Sequence, residues 1–252
     1  MNGMTVFTPA ERAKLLDALV SRARADARVI GAAVTGSGAL DQADRWSDID
    51  FALGIAADRD EVMADWTAYL YEEHGAVHHM DVPFRSAVYR VFLLPHTLQV
   101  DIAFVPAPEF GATAPTFRLL FGICADQPPT PPLDPRSQID MAWLYALHVR
   151  SSIERRRCWQ AEHMLGGLRN AVLSLMALRH GVPATQGRGL HLLPSSATDA
   201  AVATLVGSLD EADLRRAFRA AVELLLAETA HVDPDLATVL AGPLQAMLGN
   251  AT

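Results

Sequence analysis

Hydrophobic and polar positions follow two periods along the chain, and the change from one to the other falls near its middle. The first half is mixed. Thr8-Pro9-Ala10-Glu11 carries the marks of a helix start, with Thr as N-cap, Pro at the first helical position and Glu three residues after the cap. A helix to about residue 24 follows. Residues 28–35 are apolar and run into Gly36-Ser37-Gly38, which predicts a strand ending in a tight turn. Residues 48–55 predict a second strand. Asp58 can cap a helix through about residue 74, and residues 77–83, 87–94 and 98–105 are three further strand candidates.

From Pro106 the pattern changes. Gln127-Pro128-Pro129-Thr130-Pro131-Pro132 can continue neither a helix nor a central strand. Beyond it the periods are helical, over residues 137–156, 159–180, 196–206, 210–230 and 234–248. The expected organisation is α+β: a small mixed-sheet domain with flanking helices over residues 1–110, a Pro-rich linker over 111–136, and an all-helical domain over 137–252. No internal repeat is visible.

Composition narrows the class. The chain has 252 residues, half of them hydrophobic, and its 21 Lys+Arg against 29 Asp+Glu give a formal net charge of −8. That balance disfavours a nucleic-acid partner, since phosphate neutralisation needs Lys and Arg. Cys124 and Cys158 show no CxxC or Cys/His ligand spacing, so neither a disulfide framework nor a zinc site is indicated. The amino-terminal segment lacks a basic region followed by an apolar one, and no apolar run approaches membrane-spanning length. The expectation is a cytoplasmic protein with no membrane partner.

The segment that carries chemistry is Gly36-Ser37, then Asp48-Ile49-Asp50 eleven residues on from Ser37, and later Asp101 within Gln99-Val100-Asp101-Ile102. Strand side chains alternate, so Asp48 and Asp50 project from one face while Ile49, Phe51 and Leu53 project into the core. Adjacent carboxylates repel, and a hard divalent cation such as magnesium relieves the repulsion. If the Asp101 strand lies beside the Asp48/Asp50 strand, three carboxylates converge and can hold two metal ions for an in-line phosphoryl displacement. Gly36 lets backbone approach a triphosphate, and Ser37 can donate to its oxygens. Singly, each acid has a structural explanation: Asp48 capping a turn with Ser47, Asp50 pairing with Arg45, Asp101 pairing with Arg90.

These residues resemble the nucleotidyltransferase superfamily that includes DNA polymerase beta and the antibiotic nucleotidyltransferases, whose signature is Gly-Ser, a gap, Asp-x-Asp, and a third Asp on a later strand. The resemblance covers about residues 8–110. It implies a small mixed sheet, Asp48, Asp50 and Asp101 as metal ligands and catalytic residues, two magnesium ions, and a nucleoside triphosphate, usually ATP. More loosely, residues 137–230 are similar to the helical part of bacterial enzymes that modify aminoglycosides and lincosamides, through the helix pattern and Trp159, Glu162, Arg169 and Gly187-Arg188-Gly189.

Glu162 sits at the edge of an apolar stripe with Leu165, Leu168 and Val172, a setting that suits a general base for an acceptor hydroxyl; its structural alternative is an i,i+4 neighbour of a basic residue or a solvated helix face, and Asp101 competes for the role of base. Arg169 and Arg188 are candidates for contacts with the nucleotide, with an internal ion pair as the equal alternative. Arg155-Arg156-Arg157 reads as a solvated run and His78-His79 as strand sequence, while Trp46 either stacks on a ligand ring or packs against the first helix. The expected function is transfer of AMP from ATP to a hydroxyl of a small molecule, an aminoglycoside- or lincosamide-like antibiotic, with release of pyrophosphate. The alternatives are nucleotidylation of a protein target, as in toxin-antitoxin systems, and a non-catalytic nucleotide-binding regulator. A homodimer is compatible with either catalytic reading.

Overall fold

The computed structural model describes residues 6–248, and the chain forms two compact units, Met1–Pro131 and Pro132–Thr252. The first holds helices α1 (Pro9–Ala25), α2 (Gly36–Ala39) and α3 (Arg59–Glu72). Its strands are β1 (Val29–Thr35), β2 (Ile49–Ile55), β3 (His78–Phe84), β4 (Ala87–Leu93), β5 (Gln99–Pro106) and β6 (Phe117–Gly122). They make one mixed sheet in the order β3-β4-β5-β2-β1-β6, in which β2 and β5 are parallel and the other neighbours antiparallel.

The helix starts form as their sequences require. Thr8 and Glu11 make a reciprocal capping box, and the Asp58 carboxylate accepts from the amides of Asp60 and Glu61 at the head of α3. Alternation along β2 and β5 then divides the sheet into two unlike faces. Phe51, Leu53, Ile102 and Phe104 project to one side, where Leu19 of α1 and Trp66 of α3 complete a buried apolar core. Ala52 and Ala103 project to the other, with Ala33 and Phe110. Tyr89, Val105 and Phe117 pack against that second cluster. Gly54 lies under the Phe110 ring, where an added Cβ would stand 2.7 Å from the ring carbon.

The segment expected to link the halves is shorter than residues 111–136. Phe117–Gly122 is strand β6, paired antiparallel with the outer edge of β1 from Thr35↔Phe117 to Gly31↔Gly122. Its sequence, Phe-Arg-Leu-Leu-Phe-Gly, breaks strict alternation, and a register shift between Ala32 and Ala33 accommodates the break, so the period-2 signal is lost in the sequence. The Pro-rich stretch after it has neither helix nor strand, as expected.

The second unit is helical: α4 (Pro135–Glu154), α5 (Cys158–Arg179), α6 (Ser195–Val202), α7 (Glu211–Val232) and α8 (Pro234–Ala246). Leu165, Leu168, Val172 and Leu175 of α5 pack with Ile139 and Val149 of α4 and with Leu214, Phe218 and Leu225 of α7. At the far end of α5, Arg179 donates two hydrogen bonds of 2.8 Å to Glu228 of α7, a carboxylate only 3% exposed. Both cysteines are free thiols, and no helix among the described residues is long and apolar enough to cross a membrane.

Candidate active site

Three carboxylates meet at one end of the sheet face that carries Ala52 and Ala103. Asp48 immediately precedes β2, Asp50 is its second residue, and the parallel register places Asp50 directly opposite Asp101 of β5. One carboxylate oxygen from each of Asp48, Asp50 and Asp101 lies within 4.8 Å of the others, and all three residues are half-buried. The convergence therefore follows from two facts of sequence, alternation in β2 and the pairing of β2 with β5. Hard oxygen donors at this spacing fit magnesium or manganese.

The electrostatics are those of gathered like charges. Gln99 donates from Nε2 to both oxygens of Asp101, at 2.9 and 3.1 Å. Burial pushes the Asp101 carboxyl up from its ordinary value; the Gln99 bond works against that shift and the negative charge of Asp48 adds to it. Tyr89 of β4 responds to the same field, its hydroxyl pushed up by burial and by the charge of Asp50. Arg90, the alternative partner for Asp101, is committed elsewhere. Its guanidinium donates to both oxygens of Asp81 at 2.7 Å and to the Thr67 hydroxyl. Arg45 donates to the Phe7 carbonyl at 3.4 Å and lies over the Trp46 ring.

Gly36 is specified twice over. Its φ of +62° is in the left-handed region, and a Cβ built there would stand 2.0 Å from Asp50 Oδ2. Only glycine lets the turn close against that carboxylate. Ser37 follows at the start of the single helical turn α2, with its Oγ 3.4 Å from Ser47 Oγ. Ser47 in turn donates to Asp44 Oδ1 at 3.1 Å, so the capping residue of the turn before β2 is Asp44, not Asp48.

A pocket of about 310 Å³ adjoins the acids, lined in part by Asp48, Asp50, Gly38, Arg12 and Arg118. Arg12 of α1 donates to the Ser47 carbonyl at 2.9 Å and also to that of Asp44, fixing the turn that leads into β2. Arg118 of β6 donates to the Gly38 carbonyl at 2.9 Å and pairs with Asp41 at 3.3 Å. Sequence reasoning missed both arginines. Arg118 was hidden with its strand, and Arg12 sits in a helix whose capping box drew attention to its neighbours.

Glu162, Arg169, Arg188 and the Arg155-Arg156-Arg157 run belong to the helical unit, and His79 and Trp46 to the sheet unit. Glu162 lies beside the apolar stripe of α5 as expected, but its carboxylate approaches Arg169 at 3.9 Å, and Arg169 also donates to the Thr204 carbonyl at 3.0 Å. Arg169 thus has the internal ion pair that was its alternative reading. Arg188 is exposed in the turn between two short 3-10 segments. Arg155, Arg156 and Arg157 are exposed in the α4–α5 turn. His79 meets the Tyr71 hydroxyl at 3.0 Å on β3, and Trp46 is 69% exposed.

No protein-family model matches the chain, and no curated protein matches it. Among solved structures, an aminoglycoside 6-adenyltransferase from Bacillus subtilis is similar, with a TM-score of 0.42 and 10% identity, covering 95% of this chain and 99% of that one.

Proposed function

We propose that the chain is a magnesium-dependent nucleotidyltransferase that moves a nucleoside monophosphate, AMP from ATP in the first instance, onto a hydroxyl of a small molecule. The single observation that carries this reading is the convergence of Asp48, Asp50 and Asp101 beside a glycine turn that closes onto Asp50. Asp48 and Asp50 would hold both of two metal ions, and Asp101 would complete the set at the catalytic one. Bound there, the ions supply charge neutralisation for the triphosphate and for the transition state of an in-line displacement.

The protein's own groups then divide the work. The Ser37 hydroxyl donates to a phosphate oxygen at the turn. The acceptor oxygen forms a bond to the α-phosphorus, the bond from that phosphorus to the bridging oxygen breaks, and pyrophosphate leaves. The acceptor proton passes to a carboxylate. Asp101, next to the reacting centre, and Glu162 are the two proposed acceptors of that proton, and Arg188 is a proposed nucleotide contact. An antibiotic of aminoglycoside or lincosamide type is the proposed acceptor.

The test is incubation with ATP, magnesium, a panel of aminoglycosides and lincosamides, and cell extract, followed by mass spectrometry. A small molecule heavier by one AMP supports the proposal. A modified protein would move the reading to a protein target. No adduct, with no magnesium-dependent ATP binding, would overturn it.

A further inference from the structure

Charge is not spread evenly over the chain. Residues 1–131 carry 17 Asp+Glu against 10 Lys+Arg, and residues 132–252 carry 12 against 11, so nearly all of the net −8 belongs to the sheet unit. Within the near-neutral helical unit four arginines crowd one place, Arg150 near the end of α4 and Arg155-Arg156-Arg157 in the turn to α5. All four are exposed, and among the described residues none of their side chains makes a hydrogen bond, an ion pair or a ring contact. Other arginines of this unit are committed: Arg136, Arg169, Arg179, Arg215 and Arg216 each pair with an acid. Glu154, the one acid inside the cluster, is taken by Arg215 at 3.0 Å.

Two of the four sit where the fold favours another residue. The amide of Arg157 donates to the Ser152 carbonyl at 2.9 Å and that of Arg156 to the Ile153 carbonyl at 2.8 Å. This pattern closes a helix through a left-handed residue, and Arg156, with φ +54°, holds the place that glycine usually takes. Arg157 is the N-cap of α5 and makes no side-chain cap bond, and its charge stands at the positive end of that helix's dipole. Arg155 alone has a local reason, since a cation at the carbonyl end of α4 is favourable. Residues that break local preference are expected where function retains them. Beside them Trp159 is 77% exposed and meets no other ring among the described residues. Arg150 and Arg155 also line a hollow of about 360 Å³, together with Ser151, Glu154 and, from the end of α8, Ala246 and Met247.

We propose that this surface binds single-stranded nucleic acid, the arginines neutralising phosphates and Trp159 offering its face to a base. Guanidinium groups recognise phosphate bidentately and an aromatic ring stacks on any base, so the pair gives affinity with little sequence preference. An acidic protein surface would answer the charge alone; the exposed indole favours a ligand with rings. The surface uses none of the three acids, so it stands or falls apart from the nucleotidyl-transfer reading.

The test is a fluorescence-anisotropy titration of labelled oligo(dT), about 12 nucleotides long, with the full chain, without magnesium, over a series of salt concentrations. With three or four phosphates neutralised, log K against log salt should fall with a slope of about −2 to −3. Arg156→Gly and Arg157→Ser should each weaken binding and make the slope shallower by about 0.7. Thermal melting should show both variants at least as stable as the wild type, because glycine suits the left-handed position and serine caps a helix. Trp159→Ala should weaken binding about fivefold or more and leave the slope unchanged. Absence of binding at low salt, or a flat salt dependence, overturns the proposal. So do unchanged slopes in both arginine variants. Binding of poly-glutamate more tightly than of the oligonucleotide, with Trp159→Ala behaving as wild type, would give the surface to an acidic protein and overturn it as well.

Discussion

The two units bury acid in opposite ways. In the helical unit Glu228 is almost wholly enclosed, and Arg179 meets both its oxygens at 2.8 Å. In the sheet unit Asp101 is half-buried with a neutral amide from Gln99 and with the carboxylates of Asp48 and Asp50 close by. The first arrangement is complete within the chain, because a bidentate guanidinium offsets the desolvation of the carboxylate. The second gathers like charges and, among the described residues, gives Asp101 no ion pair. A carboxylate with its own arginine belongs to the architecture. One held among other carboxylates is costly to the fold, and the cost is recovered when a cation arrives.

Substitution in the acid cluster should therefore damage activity and spare the fold. On the proposed reading, Asp50→Ala is expected to lower the rate of nucleotide transfer by at least about 10–100-fold, the loss typical for a group that merely orients a metal ligand. Magnesium should raise the melting temperature of the wild type and leave that of the variant unmoved. Retention of full activity in Asp50→Ala would remove the acids from the chemistry.

The paired acid should respond in the reverse sense. Arg179→Ala leaves Glu228 enclosed without its cation and is expected to cost about 3 kcal/mol in denaturant unfolding. Arg179 is itself about one-third exposed, so Glu228→Gln, which leaves a guanidinium that can reach water, should cost less. Transfer activity per folded molecule should be unaffected in both. A loss of activity with unchanged stability would contradict the structural role given to this pair.

Gly36→Ala tests whether the turn is built around Asp50. The left-handed φ should cost about 1–2 kcal/mol for any residue with a Cβ, and the Cβ must also displace Asp50 Oδ2 from a distance of 2.0 Å. Activity should fall together with stability, and magnesium should stabilise the variant less than the wild type. Unchanged magnesium stabilisation would show that the close approach does not matter.

Much of this contrast was legible in the sequence. Gly-Ser, Asp-x-Asp and the later Asp101 lie on strands whose alternation alone decides which side chains share a face, and the parallel pairing of β2 with β5 then brings the acids together. The helix starts at Thr8 and Asp58 were legible because capping is local. What failed to show was non-local. Strand β6 owes its existence to the open edge of β1, and its side chains do not alternate cleanly, so Arg118 could not be placed beside the acids. The commitment of Arg169 to Glu162 and the Thr204 carbonyl depends on how α5 meets the turn after α6, which no period along the chain encodes.

The smallest effect is also the one that separates the two kinds of buried acid most cleanly. Burial raises the proton affinity of folded Asp101 above its unfolded value, so over the intervening pH range the folded chain holds a proton that the unfolded chain has released. Stability from this group is fully present below the unfolded value and is lost as pH rises through the raised folded one. Asp101→Asn removes the titration and keeps the shape. In metal-free buffer at neutral pH it should be more stable than the wild type by about 0.5–1 kcal/mol, and the advantage should shrink as pH falls into the carboxylate range. Magnesium should shrink it too, by stabilising only the charged wild-type site. Denaturant titrations at several pH values, with and without magnesium, would measure both trends. An Asp101→Asn variant that is less stable than the wild type under metal-free neutral conditions would place Asp101 with Glu228, as an acid the fold needs charged.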